Sequence, residues 1–350
     1  LPQHFADELG DSEYGSNDWV DHQHIAALYA SAVDFLVTED RKLRKKAHRV
    51  GLGDRVLTVV EALEVVSDFT SKAPAPPPAV RSAVAHAIDP RDPILESFRQ
   101  DYPGFDTWFD KCRREHRQAW IIDGNGSLAG LAIVHPEKAS VFSLTGSILK
   151  LCSFKVADSF NGFKYGELLL KAVFEYVVAQ SFDWLYVTVF AKHGKLIELF
   201  EAFGFRRLPI STSLGEEIMA KALRPECDST VPADPLLFHI RYGPRHFNVD
   251  APWFLVPIRP QFSDLLFPET SVQPHLFPGR TAYGNAIRKA YLSNSPTRSL
   301  LPGAVLAFYR SHAARGIVAL GVLEKAVVSD SAEEIARHVG NRTVYSLVEI

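Results

Sequence analysis

The stretch VADSFNGFKYGELLLKAVFEYV, residues 156–177, decides how this chain is read. It opens as the end of a strand and passes through a short loop with glycines at 162 and 166 and Lys164 between them. It then enters a helix. Leu168, Leu169, Ala172, Val173, Tyr176 and Val177 recur near a period of 3.6, so one face of that helix is core. Its first turn carries N–H groups outside the helical ladder and the positive end of the peptide dipole. A loop of this form is either an anion site suited to a phosphate or a tight turn that binds nothing. The glycines alone leave both readings open.

The surroundings add order. LKLCSFKV, residues 149–156, reads as the preceding strand, WLYVTVF, residues 184–190, as the next one, and 193–203 as a helix stopped by Gly204. Upstream, AWIIDGNGSLAGLAIVH gives two apolar strands about a Gly/Asn turn, a hairpin signal, after two helices at 92–100 and 105–117. SKAPAPPPAV, residues 71–80, is a semi-rigid proline spacer. Before it, DHQHIAALYASA and RKLRKKAHRVG read as helices, DFLVT and DRVLTVV as strands. After about Pro225 prolines become frequent and apolar runs short.

At 350 residues the chain exceeds one ordinary domain, and an apolar fraction of 47% supports real cores. A formal charge of −3 argues against a surface that grips nucleic acid everywhere. Three scattered cysteines, Cys112, Cys152 and Cys227, give neither a CxxC pair nor a disulfide framework, which suits a reducing cytoplasm. No apolar run approaches a membrane span and no signal peptide opens the text. The chain starts at Leu1 in mid-pattern, as a fragment would.

The stretch at 156–166 resembles motif A of the GNAT superfamily of N-acetyltransferases, V-x-x-x-x-[QR]-x-x-G-x-[GA]. Val156 takes the valine position, Asn161 the Gln/Arg, Lys164 the first glycine and Gly166 the last. WLYVTVFAKHGKLIELFEAFGF is similar to motif B, with its closing Gly204-Phe205. The resemblance spans about residues 89–224, in the family's order of elements. It implies acetyl-CoA as the cofactor, with pyrophosphate on the N–H groups of Asn161, Gly162, Phe163, Lys164, Tyr165, Gly166 and Glu167. It also implies a strand at 152–156 splayed from the strand at 184–190. Pantetheine would lie in that slot, and an N–H near Phe154, Lys155 and Val156 would meet the acyl carbonyl.

Two departures bear on the site. If the first glycine is needed at positive φ, Lys164 costs about 1–3 kcal/mol of strain. If it serves only close approach, the lysine turns outward and its ammonium reaches the pyrophosphate; the second is expected, because Gly162 supplies local freedom. Phe200 stands where many family members have a tyrosine that protonates the leaving thiolate, and His193 where an asparagine is common. Tyr186 and His193 are the nearest groups for proton transfer. The bland alternatives are a core strand residue and a half-exposed helix start. Cys152 is expected to be inert core.

DWVDHQHIAALYASAVDFLVTEDRKLRKK resembles the C-terminal half of a PIN-domain nuclease. That resemblance implies Mg²⁺ or Mn²⁺ at Asp21 and Asp40, with Thr38 orienting the site. The bland readings are a helix-start residue and a loop aspartate. The early acids of that family fall on strands the chain lacks, so the metal site is expected to be incomplete. The run Arg41, Lys42, Arg44, Lys45, Lys46, Arg49 is either a phosphate contact or a solvated helix face. At the other end, NAIRKAYLSNSPTRSLLPGAVLAFYRSHAARGIVALGVLEKAVV shows a polar helix start, a Pro-Gly turn and two strands. It resembles PUA-like barrels of the ASCH and EVE group, which implies RNA or a modified base met by Tyr309 and Arg310.

The expected architecture is therefore an α/β and α+β multidomain chain. Residues 1–70 form the C-terminal part of a PIN-like α/β domain and 71–88 a proline linker. Residues 89–224 form a GNAT domain with a mixed, mostly antiparallel sheet, splayed strands and flanking helices. Residues 225–350 form a β-rich PUA-like barrel, cut short. The expected function is direct transfer of acetyl from acetyl-CoA to an amine by a cytoplasmic, membrane-free acyltransferase. The alternative is an RNA-binding or RNA-processing protein whose GNAT domain only binds CoA.

Overall fold

The computed structural model describes residues 9–30, 32, 33, 35–62, 80–124, 126–160, 162–225, 231–270, 282–293, 300–311 and 315–345. Asn161, Cys227 and the prolines of the spacer lie outside this set. Three sheets of two, seven and three strands organise the rest.

The first part pairs β1 (Leu36–Val37) in parallel with β2 (Val56–Leu57), packed by helices α1 (Asn17–Tyr29) and α2 (Arg41–Arg49). Ile25, Leu28, Leu43, Ala47 and Val56 bury against one another, so the basic residues of α2 other than Lys46, which is drawn in by Asp18 and Asp21, fall outside that core. Ser16 caps α1 and Asp40 caps α2, as short polar residues ahead of an amphipathic run should.

The central sheet begins with β3 (Arg81–Val84), earlier than residue 89 and inside the stretch read as linker. RSAV has no apolar run; pairing with its neighbour, rather than its own composition, makes it an edge strand. Helices α3 (Glu96–Asp101) and α4 (Phe105–Arg114) follow, then β4 (Gln118–Asp123), β5 (Leu128–Pro136) and β6 (Ile148–Val156). Next come α5 (Tyr165–Ala179), β7 (Trp184–Val189), α6 (Gly194–Ala202), β8 (Arg206–Ser211) and β9 (Glu217–Ala222). The spatial order is β3-β4-β5-β6-β7-β9-β8, antiparallel everywhere except between β6 and β7.

Leu169, Leu170, Val173, Phe174 and Val177 of α5 and Ile197 and Phe200 of α6 bury on one sheet face. Phe105 and Phe109 of α4 bury on the other. Each element thus shows a single apolar face to the sheet, and this two-sided cover makes the strands continuous apolar runs.

Beyond β9 lies α7 (Pro235–Tyr242), held by the buried Lys221, which donates to the carbonyls of Ile240 (2.8 Å) and Arg241 (3.1 Å). Gly204 lets α7 in: at φ 85° it is left-handed, and a Cβ there would lie 1.8 Å from the Ile240 carbonyl oxygen. The last part contains β10 (Trp253–Ile258), α8 (Pro260–Leu266), the short α9 (Ala282–Asn285), β11 (Val305–Arg310), β12 (Gly316–Val322) and α10 (Ala332–Val339). β10 pairs parallel with β11 and β11 antiparallel with β12. Among the described residues these strands form an open three-stranded sheet, where the sequence suggested a barrel. The helix expected from Asn285 onward is also absent: residues 286–293 run irregularly, with the Ile287 and Arg288 N–H groups drawn to the Glu167 carboxylate of the central domain. Among the described residues no helix is long and apolar enough to cross a membrane.

Candidate active site

The one parallel pairing in the central sheet stops early. β6 and β7 pair from Ile148↔Trp184 to Leu151↔Val187, while β6 continues to Val156 beside β5 and β7 continues to Val189 beside β9. The cause is visible in the register on the other side of β6. Ile133 faces Ser153 and Val134 faces Leu151, so Cys152 is an extra residue, a bulge that bends the strand away. The two strands therefore part from residue 152 onward, as the splay expected from the sequence requires.

The Ala157 N–H donates to the Ala129 carbonyl (2.9 Å), so Lys155 and Ser153, two and four residues back, also face β5. The main-chain groups of Phe154 and Val156 then point into the gap. Lys155 is in the opposite phase, and its ammonium lies 3.6 Å from Asp158. The Phe154 ring meets Phe200 edge-on at 5.5 Å; Phe200 is fully buried, an apolar wall where a phenol would have been a donor.

Among its described residues the loop between β6 and α5 carries two in the left-handed region, Gly162 at φ 93° and Lys164 at φ 60°, ψ 27°. The expectation for Lys164 is thereby corrected. The chain reverses between a strand end and a helix start within a few residues, and that geometry demands positive φ at 164 whatever the side chain. The first bond of the α5 ladder is Leu168 N–H to Lys164 carbonyl (3.0 Å), so the N–H groups of Tyr165, Gly166 and Glu167 precede that ladder at the positive end of the helix. The Tyr165 ring is buried between Phe160 and Phe163, and Gly166 packs under Leu199, where a Cβ would sit 3.2 Å from its Cδ2. The Glu167 side chain is buried against the last part of the chain. There Arg342 lies 3.1 Å from one of its oxygens and the Ile287 N–H 2.8 Å from the other.

After β7, at the start of α6, stands a polar cluster of which the sequence had singled out His193 alone. His193, at the start of α6, places Nε2 2.8 Å from Asp101 at the end of α3, and Lys192 bonds the other Asp101 oxygen. Burial pushes the Asp101 carboxyl up, but the hydrogen bonds from Lys192 and His193 outweigh it and hold the group below its ordinary range. An ionised Asp101 takes the Nε2 proton as its partner, which leaves Nδ1 as the lone-pair nitrogen of His193. Alongside, the Tyr102 hydroxyl donates to Glu216 (2.8 Å), whose second oxygen meets Thr212 Oγ1 (3.0 Å). Burial and the Glu216 carboxylate push the Tyr102 phenol well up. Asp101, Tyr102 and Glu216 come from a helix end and a hairpin far apart in sequence; local spacing carries no trace of them.

Tyr186 falls elsewhere. It lies before the strands part, is buried, and donates its hydroxyl to Glu137 on the face lined by Leu144, Ile148 and Ile218. Burial and Glu137 raise its ionisation far above the ordinary value, so it is a poor proton donor away from the gap. Cys152, expected in the core, is half-buried, and burial raises its thiol to about 11.

Asp21 pairs with Lys46 (2.8 Å), which also binds Asp18, and Asp40 accepts the Lys42 and Leu43 N–H groups as the cap of α2. Thr38 Oγ1 accepts from the Asp40 N–H (3.0 Å). Among the described residues no three His, Cys, Asp or Glu side chains cluster as metal ligands. In the last part Arg310, expected at a surface, is buried and paired with Asp264 (2.6 Å) and Ser263 (3.0 Å).

Residues 85–205 match the family model of the acetyltransferase (GNAT) family, and the middle of the chain is an acetyltransferase domain of that kind. No curated protein matches the chain. Solved structures similar to it include a GNAT-family acetyltransferase from Desulfovibrio desulfuricans, 17% identical, covering 41% of this chain and 99% of its own, TM-score 0.33. A GNAT acetyltransferase from Elizabethkingia anophelis with acetyl-CoA bound is 15% identical, over 41% and 97%, TM-score 0.32. A ribosomal-protein-alanine N-acetyltransferase from Brucella melitensis is 21% identical, over 37% and 78%, TM-score 0.27. At TM-scores this low the likenesses carry no weight for the activity.

Proposed function

We propose that the chain transfers an acetyl group from acetyl-CoA to an amine, with the cofactor in the gap between β6 and β7. The observation that carries this reading is the parting of these strands at Cys152, with the Phe154 and Val156 main chain directed between them. An extended amide ligand fits there as an added strand would. A pyrophosphate fits the first turn of α5, because the one carboxylate in that turn, Glu167, is buried and neutralised.

Acetyl-CoA supplies an activated thioester; the chain supplies positions and a base. The Phe154 and Val156 N–H groups are donors for the acyl oxygen, in a gap whose Phe154 and Phe200 rings exclude water. His193, oriented by Asp101, takes the proton that the amine loses through Nδ1. Phe200 gives no proton, so the thiolate departs without help from that position.

The flanking parts are read as a PIN-like piece before the spacer and a PUA-like piece after residue 224, in a cytoplasmic protein. On that reading the acceptor is an amine carried by tRNA or by an RNA-associated protein. These assignments rest on the sequence resemblances and on the parallel β1–β2 pair.

Free-thiol release from acetyl-CoA, with and without a panel of primary amines, tests the reading. Release dependent on an amine is expected; its absence with every amine offered to the full chain would count against transfer. His193→Ala should lower kcat/KM by about a hundredfold with acetyl-CoA affinity unchanged. Turnover like that of the wild type would remove His193 from the mechanism.

A further inference from the structure

Glu167 is the third residue of α5, so its carboxylate belongs to the same positive helix end that an anionic cofactor would use. Left bare there, it would oppose the pyrophosphate. It is only 5% exposed, and four donors from the last part of the chain surround it. Arg342 Nη2 lies 3.1 Å from Oε1 and Arg342 Nη1 donates to Oε2 at 3.4 Å; the Ile287 and Arg288 N–H groups donate to Oε2 at 2.8 and 3.3 Å.

The same segment grips both sides of the site. Asn285 Nδ2 donates to the carbonyl of Phe163, inside the loop (2.8 Å). Arg288 Nη2 donates to the Ala202 carbonyl at the end of α6 (2.8 Å), with its guanidinium 5.2 Å from the Phe203 ring centre. Arg342 Nη1 in turn donates to the Arg288 carbonyl (2.9 Å), and the Ala290 N–H to the Arg342 carbonyl (3.0 Å), so the segment and Arg342 are one unit.

We propose that Glu167 and Arg342 form a neutralised clasp through which residues 282–293 and 342 set the charge and geometry of the cofactor loop. Glu167 is a positioning residue: its side chain works through Arg342 and the loop, not on the substrate. This inference rests on acetyl-CoA binding at that loop. The last part of the chain is then a required component of the acetyltransferase site, and whatever loosens its hold lowers cofactor affinity.

The two halves of the clasp have opposite expected effects, which separates charge from mere support. Arg342→Ala leaves the carboxylate uncompensated and should weaken acetyl-CoA binding about tenfold. Glu167→Gln keeps the shape, leaves Arg342 as a net positive charge beside the pyrophosphate, and should tighten binding severalfold. The double variant should return near the wild-type affinity.

Calorimetric titration of acetyl-CoA into the full wild-type chain and the three variants, with thermal melts in parallel, reads all of this. No binding by the wild type overturns the acetyl-CoA reading together with this one. Wild-type binding with Arg342→Ala unchanged, or with Glu167→Gln weakened, overturns the clasp alone. Should Arg342→Ala fail to fold, Glu167→Gln still decides, because its predicted sign is opposite to that of a lost structural bond.

Discussion

Lys164 holds a left-handed backbone at φ 60° in the loop that leads into α5, where a β-carbon is disfavoured by about 1–2 kcal/mol. Comparing two small residues isolates that strain. Lys164→Gly should be more stable than Lys164→Ala by about 1 kcal/mol in urea denaturation, the reverse of the order in an ordinary loop. Equal midpoints would show that the loop relaxes around the side chain.

Lys221 makes a pH-dependent statement of the same kind. Burial lowers its ammonium from the ordinary 10.5 to about 7. Between about pH 7 and 10 the unfolded chain therefore holds a proton that the folded chain lacks, and stability rises with pH by up to about 1.4 kcal/mol per unit. Below pH 7 both states are protonated and this contribution levels off at its least favourable value. Lys221→Met should flatten the slope measured between pH 7 and 9, whatever it does to absolute stability. An unchanged slope would mean that Lys221 is not the group responsible.

At the scale of elements, the bulge at Cys152 is what turns a sheet into a site. Because the Val156 N–H faces the gap and the Lys155 N–H faces β5, proline should separate the two roles. Lys155→Pro removes a ladder bond and should cost stability, whereas Val156→Pro spares the ladder, loses a gap donor and some core packing, and should lower the melt less than Lys155→Pro.

Much of this level was legible in the sequence. The apolar stripe of α5, the Gly/Asn hairpin of β4 and β5, and the order strand-loop-helix-strand-helix all follow from periodicity and punctuation. The bulge was not, because Leu-Cys-Ser-Phe reads as an unbroken strand and only the register against Ile133 and Val134 reveals the extra residue. Nor was the Asp101–His193 pair: it joins residues 92 positions apart, and sequence spacing carries no information about such contacts. The positive φ at 164 was not legible either, since composition does not fix where a reversal places its left-handed residue.

At the scale of the molecule, the chain builds one central sheet and fastens its last part onto the helix that opens beside the gap. The stretch from Asn285 resembles a helix start in composition, but the Ile287 and Arg288 N–H groups go to Glu167 instead of a helical ladder. A tertiary acceptor outcompeted local propensity, and no local pattern marks which distant carboxylate will do so. The linker boundary shifted for a related reason: β3 is a strand only because β4 offers an edge.

If the parted strands hold acetyl-CoA, the cofactor must bind the full chain and lose affinity when the gap loses a donor. Calorimetric titration of acetyl-CoA into the full chain and into its Val156→Pro variant measures both. Saturable one-to-one binding, weakened by about tenfold in the folded variant for one lost hydrogen bond in a water-poor gap, is the predicted result. No binding to the folded wild type, or equal binding by the variant, would contradict it.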